Sequence, residues 1–132
     1  MDKVVFTNGC FDILHRGHIE LLRFCKSLGG TVIVGLNSDK SVKNLKGEDR
    51  PINNQLDRKL LLESIRFVDD VIIFEDETPY SLIKEINPDI IVKGGDYNSK
   101  DVVGNDISEV RIFEYVEGYS TTEAIQGIAN RW

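Results

Sequence analysis

A chain of 132 residues is long enough for one domain that buries about two-thirds of its unfolded surface, and short for two. Its 41% hydrophobic and 29% charged residues are ordinary for a globular protein, and a net charge of −6 with no basic run excludes nucleic-acid binding as the main activity. No apolar run approaches the ~20 residues that span a bilayer and no signal peptide is evident, so the expectation is one cytoplasmic domain, residues 1–132, with no membrane partner.

The first apolar run, Val4-Val5-Phe6, predicts a buried strand. Asn8-Gly9-Cys10-Phe11-Asp12-Ile13-Leu14-His15-Arg16-Gly17-His18 follows, a tight loop around Gly9 that opens into a helix with apolar residues at Ile19, Leu22, Cys25 and Leu28. Cys10 and Cys25 lack a CxxC spacing, which fits reduced thiols, Cys25 on the apolar face of that helix. Gly29-Gly30 stops the helix and Thr31-Val32-Ile33-Val34-Gly35-Leu36 predicts a second strand. Asn37-Ser38-Asp39 ends it, with Ser38 or Asp39 suited to cap a short helix. Residues 43–52, carrying Lys43, Lys46, Gly47, Arg50 and Pro51, predict a mobile polar loop. A helix over 54–67 is expected to turn Leu56, Leu60 and Ile65 inward, and Val71-Ile72-Ile73-Phe74 is a third strand. Pro79 suits the first turn of a helix reaching about residue 86, which Asn87-Pro88 breaks. Ile90-Ile91-Val92 is the fourth strand, closed by Lys93-Gly94-Gly95-Asp96-Tyr97. A looser stretch leads to a last strand over 110–115, a turn at Glu117-Gly118-Tyr119, and a helix from Ser120 to about 130.

Continuous apolar strands alternating with helices predict a five-stranded parallel sheet with helices on both faces. Ligands of such sheets bind outside the carboxyl ends of the strands. The polar clusters at 8–18, 37–46, 93–97 and 117–122 each follow a predicted strand, so they are expected to converge on one edge. His15 and His18, three apart, share one face at a helix start, where unpaired N–H groups and the helix dipole favour a phosphate. Gly9 would let the loop backbone approach that phosphate closely. Asp12 suits either a magnesium site or a buried turn. Lys43, Lys46 and Arg50 supply the local positive charge that an acidic phosphate-handling protein needs; the plainer alternative is a solvated loop. Arg58 is expected to point inward beside the substrate. Ser120-Thr121-Thr122-Glu123 fits a capping box whose hydroxyls and amides could also grip phosphates, and 93–97 could seat a base or ribose. No third ligand stands at metal spacing from the histidine pair, and no G-x-G-x-x-G follows the first strand, which argues against a zinc site and a dinucleotide-dependent redox enzyme.

The run Phe11-Asp12-Ile13-Leu14-His15-Arg16-Gly17-His18, an F-D-x-L-H-x-G-H directly after a strand, resembles the HxGH nucleotidyltransferase superfamily that contains the cytidylyltransferases. The resemblance implies a Rossmann-like doubly wound domain, usually a homodimer. Its reaction moves a nucleotidyl group from ATP or CTP, with Mg2+, to a phosphorylated sugar or polyol and releases pyrophosphate. It implies catalytic roles for His15, His18 and Lys46, and nucleotide or phosphate contacts from Thr7, Asn8, Gly9, Cys10, Phe11, Asp12, Gly17, Lys43, Arg58, Lys93, Gly94, Asp96, Tyr97, Ser120, Thr121 and Thr122. Asn37, Asp39 and Arg50 are the expected contacts to the acceptor.

Two branches of the superfamily compete. Asn37-Ser38-Asp39, Leu45-Lys46-Gly47, Arg50-Pro51-Ile52-Asn53 and Val92-Lys93-Gly94-Gly95-Asp96-Tyr97 look like the adenylyltransferases that make ADP-heptose from D-glycero-β-D-manno-heptose 1-phosphate. Glycerol-3-phosphate cytidylyltransferases typically carry an arginine where this chain has Tyr115. The connection from Gly104 to Glu109 is shorter than in the heptose enzymes, so both the acceptor and the base stay open. A nucleotide sensor without turnover is the alternative from another class.

Overall fold

The fold grows from β1 (Val4–Gly9), the middle strand of a five-stranded sheet ordered β3-β2-β1-β4-β5. The computed structural model describes residues 3–95 and 97–114. The remaining elements in chain order are α1 (Arg16–Ser27), β2 (Thr31–Asn37), α2 (Asp39–Lys46), α3 (Gln55–Glu63), β3 (Asp70–Phe74), α4 (Tyr80–Ile86), β4 (Ile90–Gly94), a 3-10 turn at Ser99–Asp101, and β5 (Glu109–Phe113). All strand pairs are parallel. The turn expected at 117–119 and the helix from Ser120 lie outside the described residues, as do Tyr115, Asp96, Thr121 and Thr122.

Side chains alternate across β1, so Val5 and Phe6 head separate cores. Val5, Val32, Val34 and Val92 pack beneath Leu21, Leu22 and Cys25 of α1 and Leu62 of α3. Phe6 and Ile91 pack on the other face with Ile83 of α4 and Val102. Helices therefore cover both faces, the doubly wound Rossmann-like arrangement that the apolar strands predicted.

Local chemistry explains where the helices differ from expectation. Residues 43–46 are helical rather than loop. Ser38 caps α2 by accepting from Ser41 N at 3.1 Å, Val42 is fully buried, and the helix runs on until Gly47, whose φ of 105° suits glycine. Lys43 and Lys46 thus ride on the last turn of α2. The helix expected over 54–67 is shorter and faces the other way. Asn54 caps it through Asp57 N at 2.9 Å. Leu56 and Leu60 are 69% and 63% exposed, whereas Arg58 and Leu62 are fully buried. Ile65 does pack against the core, from the connection beyond the helix.

β1 pairs with β4 only at Val5↔Ile90 and Phe6↔Ile91, although the strands continue to Gly9 and Gly94. Beyond Phe6 they part, and on the other side β1 stays in register with β2 as far as Gly9↔Leu36. α1 leaves β1 toward one face of the sheet and α4 enters β4 from the other. That reversal of winding opens a crevice at the carboxyl ends.

Candidate active site

The crevice is a cleft of about 540 Å³. Its floor is the segment after β1. The chain turns at Phe11, which holds a left-handed φ of 45° and buries its ring to 5% exposure. A Cβ on Gly9 would stand 3.1 Å from the Phe11 ring, a tight approach that a side chain there would relieve only by shifting the ring a few tenths of an ångström. Asp12, 1% exposed, pins a strap at 50–53. Its carboxylate accepts from Arg50 Nε at 2.9 Å, from Ile52 N at 2.8 and 2.9 Å, and from Asn53 N at 2.9 Å, while Asn53 Nδ2 donates to Asp12 O at 2.9 Å. Burial alone would push the Asp12 carboxyl up; the Asn53 and Ile52 amides and the Arg50 guanidinium outweigh it and hold the carboxyl below its ordinary value.

Both histidines stand at the start of α1 and hold each other. His15 is the N-cap; its Nδ1 accepts from Gly17 N at 3.0 Å. His18 Nδ1 accepts from His15 N at 3.2 Å, closing a capping box built from two imidazoles instead of Ser and Glu. The rings lie 3.9 Å apart at 31°, and Phe11 tilts against His18 at 5.2 Å. An Nδ1 that accepts a backbone N–H carries a lone pair, so the proton of each neutral ring sits on Nε2. Burial first, then the neighbouring His15 and Lys46, push His18 down to about 4, so its imidazole is neutral at pH 7. No acidic side chain stands in the first turn of α1 to compete with an anion for the helix N-terminus.

The walls come from the other strands. Asn37 ends β2, and Lys46, at the end of α2, stands near enough to His18 to depress it. Arg50 projects from the strap; its Nη2 is buried with no hydrogen-bond partner among the described residues. Across the crevice Lys93 lies 5.3 Å from the Tyr97 ring, its amine pushed down by burial. Cys10 lines the floor with its thiol pushed up, again by burial. Among the described residues no group of three or more His, Cys, Asp or Glu could hold a metal, and Asp12 spends both its oxygens on the strap, so Asp12 does not fit a magnesium ligand.

The Cytidylyltransferase-like family model matches residues 6–127, which takes in this cleft and the sheet beneath it. The chain belongs to the cytidylyltransferase-like family of nucleotidyltransferases. Among the relatives of this cytidylyltransferase-like chain, the bifunctional protein HldE of Nitratiruptor sp. is 61% identical over 94% of the chain, and that of Aliarcobacter butzleri 59% over 96%. The chain spans about a quarter of each, 27%. A lipopolysaccharide core biosynthesis protein of Thermoplasma volcanium superposes with a TM-score of 0.74 at 27% identity, covering 91% of this chain and all of that one. Pantothenate synthetase from Thermus thermophilus shares the fold alone, with a TM-score of 0.61 at 20% identity over 86% of this chain and 56% of its own.

Of the residues the sequence proposed, the cytidylyltransferase-like cleft gathers His15, His18, Lys46, Asn8, Gly9, Cys10, Phe11, Asp12, Gly17, Asn37, Arg50, Lys93, Gly94 and Tyr97. It does not gather Thr7, Lys43, Asp39 or Arg58. Thr7 is buried within β1, and Lys43 is exposed on α2's last turn. Arg58 is not beside the substrate space. Its guanidinium donates to Cys10 O and Asn37 O at 2.8 Å through Nη1, to Asp39 Oδ1 at 2.8 Å through Nη2, and to Asn53 O at 2.9 Å through Nε. It ties the segments after β1 and β2 to the strap, and it occupies Asp39 in doing so. Asp96, Ser120, Thr121 and Thr122 lie outside the described residues. Sequence reasoning missed Glu77, Thr78 and Pro79, which also line the cleft. They follow β3 as the other polar clusters follow their strands, and that position was the available signal.

Proposed function

We propose that the domain transfers a nucleotidyl group from a nucleoside triphosphate to the phosphate of a phosphorylated sugar, and that the reaction is ADP-heptose formation from ATP and D-glycero-β-D-manno-heptose 1-phosphate. The observation that carries this is the imidazole pair at the head of α1, whose Nδ1 atoms are committed to backbone amides and whose protons therefore sit on Nε2. An oxygen of the acceptor phosphate attacks the α-phosphorus in line and a new P–O bond forms. The bond from the α-phosphorus to its bridging oxygen breaks, and the electron pair leaves with pyrophosphate. The imidazole N–H donors and the N-terminus of α1 stabilise the negative charge on the equatorial oxygens of that transition state, fixed in place before the charge develops. Lys46 neutralises the triphosphate from the end of α2, and the unsatisfied Nη2 of Arg50 takes the acceptor phosphate. Lys93 and Tyr97 seat the nucleoside side. Magnesium would neutralise charge on a bound triphosphate, and Asp12 would not be the residue to hold it, because its carboxylate is bonded to the strap.

The likeness to a lipopolysaccharide core biosynthesis protein of Thermoplasma volcanium supports a sugar acceptor over a polyol. A homodimer is the assembly that the family resemblance implies. The test is pyrophosphate release with magnesium, crossing ATP and CTP against heptose 1-phosphate and glycerol 3-phosphate. Release with ATP and the heptose alone is expected. Release with CTP and glycerol 3-phosphate would move the protein to the other branch, and nucleotide binding without release from any pair would mean a different acceptor or a sensor, to be separated by a wider acceptor screen.

A further inference from the structure

Asn37 ends β2 as a buried residue, 5% exposed, that still lines the cleft. It is held at both its backbone and its side chain. Its carbonyl accepts from Arg58 Nη1 at 2.8 Å, and its Nδ2 donates to Ser41 Oγ at 2.9 Å. Ser41 is buried on α2, one turn along, and does not itself line the cleft. With the amide nitrogen committed to Ser41, the group left over is Oδ1. That oxygen has no hydrogen-bond partner among the described residues and is not sealed inside the protein, so it faces the cleft. A carboxamide oxygen only accepts, as the oxygens of an ionised phosphate do, so the two have nothing to share. A hydroxyl can donate to it. Where His18, Lys46, Arg50 and Lys93 line the cleft as donors for anions, a fixed and nearly buried acceptor suits a hydroxyl.

The bonds of Arg58 show which ligand brings that hydroxyl. The guanidinium that holds Asn37 O also donates to Asn53 O of the strap at 2.9 Å and to Cys10 O at 2.8 Å. Asn37 therefore sits against the strap that carries Arg50, whereas β1 stands between β2 and the β4 strand that carries Lys93. On the function proposed above, in which Arg50 takes the acceptor phosphate, this is the acceptor's side. We infer that Ser41 is a positioning residue for acceptor choice: it holds the Asn37 nitrogen so that the oxygen accepts a hydrogen bond from a hydroxyl of the sugar phosphate. Without the Ser41 hydroxyl the carboxamide is free to turn over, and an amide nitrogen facing the cleft gives that hydroxyl proton no acceptor. An acceptor molecule with no hydroxyl at that point leaves Oδ1 desolvated and unpaired, and a polar pocket rejects such a ligand strongly.

Steady-state kinetics of the full chain with ATP, magnesium and heptose 1-phosphate test this. Ser41→Ala leaves the cap of α2 in place, because Ser38 Oγ accepts from the backbone N of Ser41. Asn37→Ala should raise KM for heptose 1-phosphate about 10-fold, and Ser41→Ala about 3-fold or more, the range of one hydrogen bond. In both, kcat and KM for ATP should hold within about 2-fold. The double variant should match Asn37→Ala alone, since Ser41 acts only through the amide; a merely structural serine would add an effect of its own. Should Ser41→Ala fail to fold, Ser41→Cys carries the same test, with a weaker acceptor in nearly the same volume. Additive effects in the double variant would overturn the role of Ser41, as would an unchanged KM for heptose 1-phosphate in either single variant. A rise in KM for ATP instead would give Asn37 to the nucleotide and overturn the inference. Competition by inorganic phosphate should not change; weakening in step with KM would mean that the amide donates to phosphate, which also overturns it. No turnover of heptose 1-phosphate by the unsubstituted chain would overturn the proposed acceptor and this inference together.

Discussion

His18 shows how one residue is set up for two tasks. As the third residue of α1 it caps the helix with its Nδ1, and the same bond fixes which nitrogen carries the proton. A serine–glutamate box would cap as well and offer no N–H donor to a phosphate. His18→Ala should therefore lower kcat at least ~100-fold, the usual cost of removing one preorganised donor. It should also cost about 0.5–1.5 kcal/mol of stability through the lost hydrogen bond from His15 N. An unchanged kcat with the preferred substrate pair would remove His18 from the chemistry. The neutral state of the ring gives a second readout. A bound triphosphate favours the protonated form and opposes the burial that holds His18 near 4, so nucleotide binding below pH 6 should take up protons. Calorimetry in buffers of different ionisation enthalpy checks this, and the uptake should vanish in His18→Ala.

α3 is the element where pattern and structure part. Leu56 and Leu60 are four apart and look like an inward stripe, but Arg58 and Leu62 are also four apart and win the buried face. Arg58 can be buried because every edge of its guanidinium meets an acceptor: carbonyls of Cys10, Asn37 and Asn53, and the Asp39 carboxylate. Such a contest is invisible to periodicity, which scores arginine as polar, and the deciding acceptors come from distant segments. The inverted face is testable by a pair of truncations. Leu62→Ala should cost about 2–5 kcal/mol in urea unfolding, as buried leucines do. Leu60→Ala should stay within about 0.5 kcal/mol. Equal costs would contradict the orientation of the helix. Arg58→Met, similar in bulk and without donors, should cost about 3–5 kcal/mol and raise KM for both substrates, because the Cys10 and Asn37 carbonyls that shape the cleft lose their anchor. The strands and α1, by contrast, were legible from sequence because a fully buried parallel strand has only one composition open to it. The strap was not: Asp12 and residues 50–53 meet across roughly forty positions through bonds that leave no local pattern.

At the scale of the molecule, the bonds that shape the cleft also set how the fold responds to acid. Stability rises with pH wherever the unfolded chain binds more protons than the native one. Between its ordinary value of 6.5 and its native value of about 4, His18 is protonated in the unfolded chain and neutral in the native one. Stability should therefore drain as pH falls through that window, by up to about 3 kcal/mol on this account. Asp12 and Asp69 act next. The Lys26 ammonium, against the pull of burial and with help from Val32 N, holds the Asp69 carboxyl below its ordinary value, as the strap does for Asp12. Both contributions are present above the ordinary carboxylate range and are lost as pH falls through the lowered native values. The alkaline side runs on the opposite sign. Burial pushes the Cys25 thiol up to about 12 from 9.0, so its contribution is complete below 9 and is lost as pH rises toward 12. Urea midpoints should thus fall steadily from pH 6.5 to 4 and steepen below it. In His18→Ala the curve should be lower at pH 7 by the lost cap and flat from 6.5 to 4, converging on or crossing the parent in mild acid. A slope in that window that survives the substitution would assign the acid sensitivity to groups other than the imidazole at the head of α1.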